Sequence, residues 1–196
     1  MKPSKRVWIW IIAIVAMLLI YSGITYNRLV KSEENVKLNW GNLQNAYQRR
    51  MDLTPSLVAI VKGASDFEKQ TLTQVANARA EALQTAVDAT GLSAENYSRF
   101  EKTQGELANS VNRIIGIIEK YPDLKSSKNY LYLQSQLEGT ERRIKVSRSD
   151  FNQSVAEYNK MVRGFPSGSV AGIFGFRPKE GFTSDAGANQ APEVKF

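Results

Sequence analysis

The chain contains no cysteine and no histidine. Their joint absence excludes disulfides, thiol nucleophiles, imidazole acid–base catalysis and the commonest zinc ligands. Asp and Glu remain available to a hard cation, yet nowhere are they spaced as a calcium-binding loop requires. The Glu-x-x-His ligand pattern of di-metal helical bundles is ruled out with the histidines. Also missing are an alternating strand pattern, sustained a/d heptads in the central stripes, and repeats of the SH3-binding or collagen kind. Enzyme and metal-dependent readings are therefore poorly supplied, and no cofactor is implied.

What is present first is an uncharged run, VWIWIIAIVAMLLIYSGITY, at residues 7–26. At 1.5 Å per residue it forms a helix of roughly 30 Å, the thickness of one bilayer core. Trp8 and Trp10 near one end and Tyr21 and Tyr26 near the other stand where interfacial aromatics belong. No small-x-small cleavage site closes the run and no cysteine follows it for lipidation, so the segment is expected to be retained. Lys2, Lys5 and Arg6 crowd the short leader, whereas Arg28, Lys31 and Lys37 are dispersed and diluted by Glu33 and Glu34. The positive-inside rule then leaves the N-terminus in the cytoplasm and the rest of the chain outside it.

With 196 residues, 42% of them hydrophobic, the chain has room for one domain with a real core and little for a second. No breaker falls between Tyr26 and Pro55, so the membrane helix is expected to run on to about residue 51, burying Val30, Val36, Trp40, Leu43 and Tyr47. A second helix is expected to restart at MDLTPSL, with Thr54 as N-cap and Pro55 in the first turn, and to carry Leu57, Val61, Ala64, Phe67, Thr71, Val75, Ala78 and Ala82 before Gly91 ends it. A third opens at Ser93, passes through Leu107, Val111, Ile114, Ile115 and Ile118, and stops at Pro122. The fourth spans about 127–162 with Leu133, Leu137, Ile144, Phe151, Val155, Tyr158 and Val162 on one face. The expected fold is all-α: an elongated antiparallel four-helix bundle whose first helix is continuous with an N-terminal transmembrane helix. Its divisions are a leader and span at 1–26, a bundle at 27–164, an apolar segment at 165–182 that packs on the bundle or the membrane, and a small, polar tail at 183–196 without a packed structure.

The stretch 121–148, YPDLKSSKNYLYLQSQLEGTERRIKVSR, packs aromatics, carboxylates and arginines closely enough to invite a catalytic reading. Pro122 as helix stop, with Tyr121 and Leu124 pinning the corner, accounts for its beginning as a joint. Farther along, Glu141 and Arg148 fall in phase with the core stripe, as does Arg79 on the second helix. A charge cannot sit alone in a core, so these residues are expected to form ion pairs across the bundle or reach its edge, with Glu68, Glu119, Glu138 and Glu141 as the carboxylates at hand. Arg142, Arg143 and Lys145, together with the apolar Ile173, Phe174 and Phe176, are candidates for an interaction surface. The net charge of +7 and the outward orientation suit a solvated face or anionic headgroups and make nucleic acid a poor partner.

Four ordered blocks resemble the LemA family: YNRLVKSEENVKLNW (26–40), RRMDLTPSLVAIVKG (49–63), EKYPDLKSSKNYLYLQSQLEGTERRI (119–144) and SDFNQSVAEYNKMVRGFPSGSVAGIFGF (149–176). The resemblance implies a bacterial membrane protein with one N-terminal span and an elongated helical bundle. It implies no catalytic set, and roles in envelope maintenance or in association with membrane proteins, proteases among them. Phe151 stands where the family usually has Tyr, and Ser56 where it usually has Asn; each change takes away a polar contact without threatening the fold. The expectation is a non-catalytic scaffold or protein-binding module of the bacterial cytoplasmic membrane, in contact with lipid and with another envelope protein. A homo-oligomeric assembly is the alternative, since aromatic and alanine stripes serve subunit contacts as well as cores.

Overall fold

A computed structural model describes residues 5–62, 69–85 and 94–182. The described residues form six helices: α1 (Lys5–Lys62), α2 (Lys69–Gln84), α3 (Ala94–Ile118), α4 (Pro122–Lys125), α5 (Lys128–Arg163) and α6 (Ser167–Ile173). The fold is all-α, but not a clean four-helix bundle. The expected ends at Gly91 and Ser93, the stripe residues Ala64 and Phe67, Glu68, and the tail at 183–196 lie outside the described residues.

The first helix is 58 residues long. From Arg6 to Ile20 every side chain is exposed, and no other helix among the described residues is long and apolar enough to cross a membrane. The chain is thus a membrane protein with a single spanning helix in its described part. Burial begins at Thr25 and continues through Leu29, Val36, Trp40, Leu43 and Tyr47 at helical spacing. The span therefore enters the bundle without a break.

The expected restart at Thr54 and Pro55 does not occur, because α1 passes through Pro55 and ends at Lys62. Thr54 is no N-cap; its hydroxyl donates to the Arg50 carbonyl one turn back at 2.9 Å. Proline within a helix deprives the carbonyl four residues earlier of its donor. That carbonyl is Met51, and Nε of Arg79 donates to it at 3.0 Å. A side chain from α2 thus repairs the gap in α1.

Side-chain pairs fix the directions. Trp40 meets Phe151 and Arg50 meets Glu141, so α5 returns antiparallel to α1. Arg113 reaches Gln74 and Thr103 reaches Thr85, so α2 and α3 are antiparallel too. Between α3 and α5 the joint is as expected: Pro122 opens the short α4, Tyr121 and Leu124 pack on the core, and the Ser127 hydroxyl accepts from the Tyr130 amide to cap α5.

Two apolar clusters follow. The distal one joins Leu57 and Val61 of α1, Val75 and Ala82 of α2, Leu107, Ile114 and Ile118 of α3, and Leu133 and Leu137 of α5. This half has four helices around its core. The proximal cluster centres on Trp40, whose ring lies 5.3 Å from Phe100, 5.2 Å from Phe151 and 6.5 Å from Phe182. No part of α2 belongs to it. Its cover comes from the C-terminal segment: α6 packs Val170 and Ala171 inward, Gly175 turns the chain at φ +78°, and residues 176–182 climb back along α5 without helical structure.

Candidate functional site

Between α1, α3 and α5 lies an open cleft of about 1020 Å³, edged by Arg50, Glu101, Gln104, Asn109, Glu141, Lys145 and Arg148 and closed at one end by Asn152 and Phe182. Two ion pairs cross it. Nη2 of Arg50 is 2.7 Å from Glu141, and Nη1 donates to the Gln104 carbonyl at 3.1 Å. Nη2 of Arg148 is 2.6 Å from Glu101, and its guanidinium carbon lies 4.4 Å from the centre of the Phe182 ring. Arg50 is only 4% exposed, with its guanidinium 5.4 Å from the Tyr47 ring centre, whereas Glu141 leaves half of its side chain in water. The Arg50 pair is therefore anchored from the buried side and open at the acid.

The walls behind these pairs are dry. Burial holds the Tyr47 and Tyr97 phenols above their ordinary range, the second strongly. The Tyr97 hydroxyl, Oε1 of Gln104 and Nε of Arg50 are buried without a hydrogen-bond partner. Of these, Gln104 and Arg50 line the cleft, beside the Tyr47 and Phe182 rings.

At its Phe182 end the cleft joins a groove that already holds extended chain. Asn152 accepts from the Phe182 amide at 2.7 Å and donates to the Phe182 carbonyl at 3.0 Å. Asn159, two turns farther along the same face, does the same for Lys179, accepting from its amide at 2.8 Å and donating to its carbonyl at 2.7 Å. Each carboxamide thus satisfies both backbone groups of one residue. Lys179 also pairs with Glu33 at 2.9 Å and lies 5.5 Å from the Tyr158 ring centre, while Phe182 packs edge-on against Tyr97 at 4.5 Å and Phe151 at 5.8 Å.

The residues singled out in the sequence fall in different places. Arg148, Glu141 and Lys145 come together at the cleft. Arg148 meets a carboxylate of a neighbouring helix, but that acid is Glu101, which the core-phase argument did not select. Arg79 meets no carboxylate in its described contacts; its partner is the Met51 carbonyl. Glu138 accepts from Gln134 within α5, and Glu119 is exposed beyond the end of α3. Arg142 and Arg143 line a separate depression with Asn42, Asn45 and Arg49. Ile173 and Phe174 are exposed at the other end of the molecule, where the Tyr26 ring meets Phe174 at a tilt and the half-buried Phe176 edge-on. Arg50 could have been found by continuing the α1 stripe three residues beyond Tyr47, still within the helix expected to run to about residue 51. Asn152 and Asn159 show a seven-residue spacing, with nothing in the sequence to name what they hold. Among the described residues no group of three or more acidic side chains is placed to hold a metal ion.

The model of the LemA family matches residues 39–196. Most of the first block quoted above, residues 26–38, lies ahead of that match. The chain is 25% identical to magnetosome protein MamQ of Magnetospirillum gryphiswaldense, over 80% of this chain and 64% of that protein. It is 24% identical to magnetosome protein MamQ 2 of Paramagnetospirillum magneticum over 88% of this chain and 68% of that one. With protein LemA of Metamycoplasma hominis it shares 25% identity over 74% of this chain and 63% of the other. It thus spans a little under to a little over two thirds of the length of these relatives.

Proposed function

The chain belongs to the LemA family, and from that premise we propose that it is a membrane-anchored scaffold, without catalytic chemistry of its own, that holds an extended segment of another membrane protein. The observation that carries this reading is the open, ion-paired cleft that continues a groove already seating extended chain. In that groove Asn152 and Asn159 hold this chain's own Phe182 and Lys179 through backbone groups, a mode of recognition that demands little of the bound sequence. The groove they form opens into the ion-paired cleft, where Glu141 is half in water and Lys145 and Asn109 are exposed. A partner chain lying there would find an aromatic floor for one side chain and charges of both signs for its flanks. Glu141 leaves half of its side chain in water, so a partner's cation can reach it without opening the buried Arg50 side of the pair.

The charges flanking the span support a location. With Lys2, Lys5 and Arg6 ahead of it, the helix is placed in a bacterial cytoplasmic membrane with the bundle outside the cytoplasm. The unbroken α1 makes the bundle a rigid extension of the span, so the cleft is presented at a fixed height and direction.

The test is photo-crosslinking in intact membranes from a probe at Asn109, with a probe at Arg142 as comparison. The reading expects capture of a foreign membrane protein through one contiguous segment from Asn109, and little from Arg142. Capture of sister copies alone from both positions would replace it with a homo-oligomeric assembly, and labelling of lipid alone would reject a protein partner.

A further inference from the structure

Among the large apolar side chains exposed outside the span, three gather around α6: Phe165 is 92% exposed, Ile173 79% and Phe174 53%. They flank or belong to α6, a helix fastened to the bundle from its other side. Val170 and Ala171 are buried there, and the Ser167 hydroxyl lies 2.7 Å from the Met161 carbonyl to which it donates. The inward residues are committed and the outward ones are uncovered.

Their level relative to the span can be read from the helix register. Trp40 stands beside Phe151 and Arg50 beside Glu141, and Lys179 touches both Glu33 and Tyr158, so one antiparallel register runs the length of the α1–α5 pair. Continued downward, it brings the end of α5 and Phe165 level with Tyr26, the last residue of the apolar run. The aromatic contacts agree independently: Phe174 lies 4.9 Å and Phe176 5.7 Å from the Tyr26 ring, centre to centre. Around this level Arg28, Lys31, Arg163 and Arg177 are exposed. The acids Glu33 and Glu34 on the same stretch of α1 are engaged by Lys179 and Lys37.

We propose that residues 165–174 are a second membrane contact, in which Phe165, Ile173 and Phe174 enter the interfacial layer beside the span while the surrounding arginines and Lys31 meet anionic headgroups. A patch of this kind is continuous with a surface already facing lipid, and burying it there removes apolar area from water at no cost in rearranging the bundle. Basic residues just outside an apolar wedge add attraction to anionic lipid. With the span as one point of attachment and α6 as another, the bundle is held against both tilting and rotation. The inference rests on residues 7–26 crossing the bilayer and deepens the fixed presentation proposed above.

The absence of native cysteine allows a direct test. Full-length chains with single replacements Phe165→Cys, Ile173→Cys and Ser126→Cys, each carrying an environment-sensitive fluorophore, are reconstituted into vesicles of phosphatidylethanolamine and phosphatidylglycerol. Both replaced apolar residues are exposed, so the bundle does not depend on them. The expected result is loss of emission at 165 and 173 with shallow lipid-borne quenchers and protection there from aqueous iodide, with the reverse pattern at 126. Iodide quenching at 165 and 173 overturns the proposal, since the face is then in water. Protection from both quenchers also overturns it, because protein covers the face. A fourth label at Ile14→Cys, read with deep lipid quenchers, reports on the span alone and separates its failure from failure of the second contact.

Discussion

Met51 lies four residues before Pro55, and the guanidinium of Arg79 supplies the donor that α1 cannot. Replacing Arg79 with Met should cost about 1–3 kcal/mol, the range for a carbonyl that loses its charged donor. In a Pro55→Ala background the new amide restores the helical bond, so the same replacement should cost much less; equal costs in a denaturant double-mutant cycle would separate Arg79 from Pro55. At the cleft, Arg148→Met removes a charge from partly exposed Glu101 and a cation from the Phe182 ring. About 1–2 kcal/mol of destabilisation is expected in the unfolding midpoint, partly recovered when Glu101 is replaced by Leu as well. Tyr158 supplies a pH-dependent reading, because burial first, and the nearby Glu33 second, push its phenol up to about 12 from an ordinary 10.0. A raised acid pKa favours the fold fully below the unfolded value and loses that contribution as pH climbs toward the folded one. Stability should therefore fall between about pH 10 and 12, and Tyr158→Phe should flatten that decline; an unchanged slope would remove Tyr158 from the account.

At the scale of elements, periodicity in the sequence carried most of α1, α3 and α5, because each buries one continuous stripe and says so every three to four residues. The expected fourth helix at about 127–162 and the observed Lys128–Arg163 nearly coincide, since Ser127 caps one end and Gly164 closes the other. Pro55 misled because its local preference for a helix start was overruled by a donor 24 residues away, and no local rule contains Arg79. The C-terminal segment was legible only as apolar. Its backbone bonds to Asn152 and Asn159 depend on a register between two elements that the sequence does not state. Those bonds predict strong hydrogen-exchange protection of the Lys179 and Phe182 amides. Replacing Asn152 and Asn159 by Ala should lower it by roughly thirtyfold at each amide, taking about 1 kcal/mol for each of two lost bonds. Protection that survives would mean that ring packing alone holds the segment. The junction of span and bundle also moved. Leu29 is fully buried and Thr25 nearly so, so the proximal core begins before residue 27, and a flexible insert after Leu29 would damage it. The position after exposed Gly23, where a side chain would meet nothing within 4 Å, leaves about 17 residues to span the bilayer and keeps that core intact.

For the whole molecule, the proposals converge on a rod whose base is fixed at the membrane and whose open cleft faces sideways. Polypeptide recognition by α5, the ion pairs of α1 and α3, and the apolar end of α6 all gain from an orientation that does not wander. A slack tether would leave each of them intact and make their common direction meaningless. That central claim is tested most directly by the height of the far end above the membrane. A donor on Ser126→Cys in nanodiscs, with acceptors on lipid headgroups, reports the distance from the α4–α5 corner to the bilayer surface. The continuous α1 predicts one narrow population at roughly 45–55 Å, the length of bundle between the corner and Tyr26 less a modest tilt, and a broader one when Gly-Ser is inserted after Gly23. A broad distribution reaching down to the headgroups in the uninterrupted chain, unchanged by the insert, would contradict it.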